Sequence, residues 1–326
     1  MNTKVKLPRC LVLLMSVFGS LTTVSAADFF EEFQEPPSAL NWTIHGDATL
    51  FQWNPDGHLD MTWDSTQTNS YFLYPLPSVL GKEDDFRMEF ELTLESIGYE
   101  SNGQPLTPFE IALGFVNIAD ATRTNFFRGK GTGTVRNLVE FDYFPDTGYG
   151  DTIWPAFWST NASLSYVDQD DYMLATLPLN KAFHIVLDYN PTNKTLTTTI
   201  TADDQPFGPP HSLTLSQSFT DFRVDAFAIC NYEFKSTTEL HAKGRIDNIR
   251  LTFPQPVLDL TLRRDEDNWT GSFLSRTNWM YQHEEANSLN NWQATGPIID
   301  GTGETVVFPV SESTGPVFTR MRATRK

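Results

Sequence analysis

Cysteine is nearly absent from this chain: two in 326 residues exclude a fold held by several disulfides. Cys10 lies in an N-terminal segment patterned as a cleaved export signal, which leaves Cys230 alone. That residue ends the strand-like Ala226-Phe227-Ala228-Ile229 and reads as a small buried hydrophobe. A second long apolar run is also absent, so no part of the mature chain reads as a membrane span. No stretch carries a sustained amphipathic helical pattern and no close repeat is visible. The six histidines are scattered without zinc-ligand spacing, and there is no phosphate loop or Gly-x-Ser-x-Gly elbow. Basic charge is scarce: 23 Lys and Arg stand against 41 Asp and Glu, a net charge of −18. Such an acidic chain does not suit nucleic acid or an anionic membrane as partner.

The first 26 residues have a basic start (Lys4, Lys6, Arg9), a short apolar core from Leu11 to Phe18, and small residues at Val24-Ser25-Ala26. Cleavage near Ala26 and secretion to the periplasm, cell surface or medium are expected. Removing those three cations takes the net charge to −21. From Val257 onward there are 7 basic and 9 acidic residues, so the acidity lies almost wholly before it.

What the chain does have is alternation. Phe86, Met88, Phe90, Leu92 and Leu94 interleave with Arg87, Glu89, Glu91 and Thr93. Successive side chains of a strand point to opposite faces, so one face packs and the other meets water. Phe109, Ile111, Leu113 and Phe115 repeat the pattern, as do Phe183, Ile185, Leu187 and Tyr189. Roughly a dozen short strands with turns every 8 to 12 residues indicate an all-β antiparallel sandwich. Pro254-Gln255-Pro256 marks a boundary. The expected organisation is a signal at 1–26, a sandwich at 27–253, a linker at 254–265 and a small β module at 266–326.

The stretch Asn137 to Asp151 carries the site candidates. Val139, Phe141 and Tyr143 share one face of a strand; Glu140 and Asp142 share the other, and Asp146 and Asp151 follow in the turn. Two like charges on one face repel, which a cation between them would relieve. Glu140, Asp142, Asp146 and Asp151 are therefore candidate Ca²⁺ ligands; the alternative is a solvated acidic face. Tyr149, Trp154 and Trp158 offer flat faces on which a sugar could stack, or they pack beneath a loop. Asp168, Asp170 and Asp171 form an acidic run without the full calcium-loop pattern.

The opening Asp28-Phe29-Phe30, the strand Val139-Glu140-Phe141-Asp142 and the closing Ile246-Asp247-Asn248-Ile249 resemble the concanavalin-A-like lectin and glucanase superfamily, over about Asp28 to Phe253. More narrowly, Phe51-Gln52-Trp53-Asn54, Thr62-Trp63-Asp64-Ser65 and Leu138 to Asp146 look like a group of secreted proteins from Verrucomicrobia-type bacteria. Arg276 to Tyr281 and Leu289 to Trp292 look like the small terminal β module of that group. The resemblance implies an antiparallel jelly roll followed by an Ig- or fibronectin-like module. Glu140 and Asp142 match the metal-holding pair of legume-type lectins. In laminarinase-type hydrolases the same strand runs Glu-x-Asp-x-x-Glu; here Pro145 stands at the acid position, and no catalytic residue is assigned. The expectation is a non-catalytic, exported binder of polysaccharide or cell-surface glycan, with Ca²⁺ as a candidate cofactor. A polysaccharide-cleaving glycoside hydrolase and a structural surface protein without small ligand are the alternatives.

Overall fold

The computed structural model describes residues 27–101, 110–128, 134–145, 150–161, 173–234, 238–265, 268–311 and 318–326. The segment 1–26, Asp146, Tyr149 and the acidic run at Asp168, Asp170 and Asp171 lie outside them. The fold is the expected all-β antiparallel jelly-roll sandwich, followed by a smaller β module. Among the described residues, no helix is long and apolar enough to cross a membrane.

The alternation seen in the sequence builds the first, nine-stranded sheet. Its central strand is Phe86–Ser101, flanked antiparallel by Ala182–Asn190 and Thr238–Phe253. Phe86, Met88, Phe90, Leu92 and Leu94 are buried, while Arg87, Glu89 and Glu91 stay partly exposed. The first strand, Ala27–Glu31, pairs with the end of Thr238–Phe253, Ala27 opposite Phe253 and Glu31 opposite Ile249. A 3-10 turn at Ala48–Leu50 precedes the strand Phe51–Asn54, the Asp47 side chain accepting a hydrogen bond from the Thr49 amide at its start.

The second sheet has eight strands, with Ile111–Val116 between Leu138–Phe144 and Val224–Asn231, and Ser70–Leu80 beyond. Its inner face meets the first sheet through aromatic edges. Phe90 stands against Phe141 at 5.6 Å and 72°, and Phe86 against Phe115 at 5.2 Å and 83°. Each such buried Phe contributes about 1.5–3 kcal/mol.

The outer face of this sheet is not wet. Ile111–Val116 is buried at every position, and Leu138–Phe144 at all but Phe144. The outward residues of two neighbouring strands are small: Ala112 and Gly114, then Ala226, Ala228 and Cys230. Residues 118–128 and 134–137 pack Ala121, Phe126 and Val135 against this floor, in one cluster with Tyr71, Trp158 and Tyr232. A second apolar layer thus covers the sandwich on this side.

Gly114 allows the close approach that this arrangement needs. A Cβ there would meet the Val139 carbonyl oxygen at 2.2 Å and the Glu140 Cα at 2.6 Å. The Gly114→Ala variant is expected to lose about 1–3 kcal/mol of unfolding free energy through overpacking. Urea unfolding measures this, and an unchanged midpoint would contradict the packing described.

The last seven strands form a three-stranded and a four-stranded sheet around Phe273, Trp279, Tyr281 and Phe308. This module is tied to the sandwich by named contacts. The Tyr281 hydroxyl donates to the Pro256 carbonyl at 2.6 Å, and Arg276 pairs with Asp85 at 2.6 Å. Arg325 pairs with buried Asp84 and donates to the Val79 carbonyl at 3.0 Å.

Candidate functional site

The strand Leu138–Phe144 places its even-numbered side chains under the outer layer. Glu140 lies opposite Gly114, and Asp142 opposite Ala112. Glu110 precedes Ala112 by two positions and so shares its face. The three carboxyl groups offer ligand atoms that all lie within 4.8 Å of one another. All three are buried, Glu140 completely.

Arg128, from the covering segment, is set among them. Its Nη2 donates to Asp142 Oδ2 at 2.7 Å; its Nε lies 3.2 Å from Glu110 Oε1 and 3.4 Å from Glu140 Oε2. The guanidinium also lies over the Trp158 ring, 5.4 Å from its centroid. The remaining Glu140 oxygen, Oε1, accepts from the Tyr232 hydroxyl and from Cys230 Sγ at 3.5 Å. Asp142 Oδ1 and both Glu110 oxygens are buried and accept no hydrogen bond, Glu110 Oε1 meeting Arg128 only as an ion pair.

One guanidinium does not neutralise three carboxylates. Ionised charge in an apolar interior is costly, so these carboxyls release their protons less readily than they would in water. Burial pushes Glu110 up to about 8, opposed by Arg128 and reinforced by Glu140. Burial also raises Glu140, and lifts Asp142 well above the usual carboxylate range, again against the pull of Arg128. Arg128 is held well above its ordinary value, the three carboxylates outweighing its own burial. Burial raises the Cys230 thiol and the Tyr232 phenol likewise.

Beside this cluster is a pocket that opens between Leu138–Phe144 and the following Thr152–Trp158 segment. Its cavity is about 10 Å³, room for about one water, and it is lined by Asp142, Phe144, Trp154, Pro155, Ala156 and Trp158 among others. The Trp154 amide donates to the Asp142 carbonyl at 2.8 Å, and its ring lies 6.3 Å from that of Phe144, tilted by 56°. Trp154 is half-buried, whereas Trp158 is 1% exposed.

Of the residues singled out in the sequence, Glu140, Asp142, Trp154 and Trp158 come together. Asp151 does not join them: its Oδ2 accepts from the Tyr143 hydroxyl at 3.1 Å, and Tyr143 belongs to the core between the sheets. Asp146 and Tyr149 lie outside the described residues. Ca²⁺ takes six to eight oxygen ligands. Arg128 already engages one oxygen of each of the three carboxyls, so this donor set does not fit Ca²⁺ while the guanidinium is seated there.

Sequence reasoning missed Glu110 and Arg128. Glu110 stands beside an apolar strand, and Arg128 stands in a stretch with no alternating pattern of its own. One signal was available: the outward positions of Ile111–Val116 and Val224–Asn231 hold Ala, Gly and Cys rather than polar residues. A face of small apolar residues calls for a cover.

No family model matches the sequence, and no curated protein matches it. Solved lectin structures match over most of the sandwich at low identity. A lectin UEA-II complexed with galactose is 12% identical, with a TM-score of 0.49 over 71% of this chain and 100% of that one. Lectin II from Ulex europaeus is 15% identical, with a TM-score of 0.46 over 71% and 100%. The exoplasmic/lumenal domain of VIP36 in a Ca²⁺/Man2-bound form is 14% identical, with a TM-score of 0.42 over 69% and 86%. All three scores lie below 0.5, and the fold and site stand without them.

Proposed function

We propose that this chain is an exported, non-catalytic glycan-binding protein whose sugar site is the pocket at Trp154. The observation that carries the reading is the pair of partly exposed rings of Phe144 and Trp154 at the mouth of the pocket. Flat rings present apolar faces to the C–H faces of a sugar. The pattern of residues 1–26 supports export.

Glycoside hydrolysis is a weaker reading. Its nucleophile would be Glu140, which is fully buried and has both oxygens engaged, by Tyr232 and Cys230 on one side and Arg128 on the other. A structural surface protein is the second reading, favoured by the internal partners of Glu140 and the burial of Trp158. A polysaccharide and glycan array separates the two. At least one glycan is expected to bind, and Trp154→Ala to lower that binding at least tenfold. No binding to any glycan would leave the structural reading. Binding is expected to survive EDTA, because Arg128 already serves as the counter-ion; loss under EDTA would establish calcium dependence.

A further inference from the structure

The three-stranded sheet of the C-terminal module ends in a free strand. Its order is Leu258–Asp265, Asn268–Leu274 and Thr305–Val310, and among the described residues no strand pairs with the outer side of Leu258–Asp265. Alternate N–H and C=O groups of that strand therefore point away from the sheet without a ladder partner. Asp259, at φ 51°, bends the strand only at its start; from Thr261 to Asp265 the register with Asn268–Leu274 is unbroken. Residues 259–264 are exposed at every position.

The leucines of this strand continue the core face of the module. Leu262 stands opposite Gly271, and Gly271 opposite Phe308, whose ring is buried in the core. Leu260 is two positions from Leu262 and shares its face. The two leucines are 54% and 50% exposed. A row that begins in the core thus ends uncovered at a free edge, the arrangement that invites a further strand.

The strand is complementary to itself. Two copies related by a two-fold axis pair antiparallel, with one residue opposite its own copy. With Thr261 at that place, Leu260 stands opposite Leu262 twice and Asp259 opposite Arg263 twice. Centring on Leu260 or Leu262 instead loses the charge match. Neither the Asp259 nor the Arg263 side chain has a hydrogen bond or ion pair among the described residues. Two copies of so acidic a chain repel, but the charge lies elsewhere: from Val257 onward 7 basic residues stand against 9 acidic ones.

We propose that the chain forms a two-fold dimer in which Leu258–Asp265 of the two copies pair antiparallel about Thr261, joining their three-stranded sheets into one. Leu260 and Leu262 of each copy cover those of the other, and Asp259 of each pairs with Arg263 of the other. The pairing is independent of the glycan-binding reading. One pair of edge strands buries less than a permanent dimer interface, so the dimer is expected to exchange with monomer at a Kd of about 1–100 µM.

Sedimentation velocity of the full chain from about 1 µM to 1 mM tests this. Twice the chain mass is expected at the upper end, returning to the monomer on dilution. The double variant Leu260→Lys with Leu262→Lys is expected to stay monomeric throughout; both side chains are exposed, so the fold is retained. Arg263→Asp is expected to weaken the dimer about tenfold or more, because it sets like charges opposite each other twice, and Asp259→Lys to do the same. Mixed in equal amounts, those two variants are expected to pair with each other as tightly as the unaltered chain, since every Asp again faces a cation. A chain monomeric at about 1 mM would overturn the proposal, as would a dimer that survives the paired lysine substitutions. Single charge variants that dimerise undiminished, or that gain nothing on mixing, would overturn the pairing about Thr261.

Discussion

Replacing Arg128 with alanine is expected to remove about 3–5 kcal/mol of unfolding free energy, the range found when one partner of a buried charge cluster is deleted. The side chain is 6% exposed and lies within 3.4 Å of all three carboxyl groups. Without it, Glu110, Glu140 and Asp142 face one another with no cation among them. Truncation also uncovers the Trp158 ring over which the guanidinium lies. Total stability of a domain is only about 5–15 kcal/mol, so the variant sits near the limit of folding at neutral pH. The loss is expected to shrink at pH 5, where the carboxyls take up protons instead. The double variant Arg128→Met with Glu110→Gln should recover part of it by removing one of the opposed charges. Urea midpoints at pH 5 and pH 8 provide the measurement. A loss below about 1 kcal/mol at pH 8 would mean that Arg128 is not the counter-ion of the cluster.

Stability is expected to fall as pH rises between about 4.5 and 8. In the unfolded chain Glu110 titrates near 4.5; in the folded protein burial pushes it up to about 8. Across that window the folded state keeps a proton that the unfolded state has released. The contribution is therefore full below 4.5 and is lost as pH climbs through the folded value. Glu140 and Asp142 are raised by burial and act in the same direction. Asp64 and Glu89 are shifted the other way, their hydrogen bonds with Thr66 and Arg87 outweighing burial, and they act below the ordinary carboxylate range. Thermal unfolding at pH 8.5 is expected at least about 5 °C below that at pH 5. Glu110→Gln should flatten the dependence and raise the midpoint at pH 8.5. A midpoint that rises from pH 5 to pH 8.5 would show that the three carboxyls are ionised in the folded state.

The sandwich was legible because its signal is local. Phe86 to Leu94 shows two-residue periodicity without interruption, and the strand it predicts has the packed and wet faces that the pattern implies. Much of the pocket was legible too, since Asp142, Trp154 and Trp158 lie within 17 positions of one another. What could not be read was the far side of the second sheet. There the state of Glu140 depends on a residue 12 positions away in an irregular segment, on Glu110, and on Tyr232, 92 positions away. Periodicity tells which side chains share a face, and it does not tell what covers that face. An acidic pair on a strand therefore read as wet or cation-bound, when the chain had folded its own arginine over it.

The pairing of Ala27–Glu31 with residues 249–253 bears on how the sandwich is made. The opening strand has no neighbour in its sheet until more than two hundred further residues have been synthesised. Contacts of such long sequence separation are formed late, because the entropy of closing the loop is lost before they can reward it. An emerging nascent chain therefore cannot complete its larger sheet, and its leading strand stays unpaired until Phe253 is available. The same pairing also sets the two ends of the sandwich side by side, so that a chain rejoined there and opened at an exposed turn would keep every strand pairing.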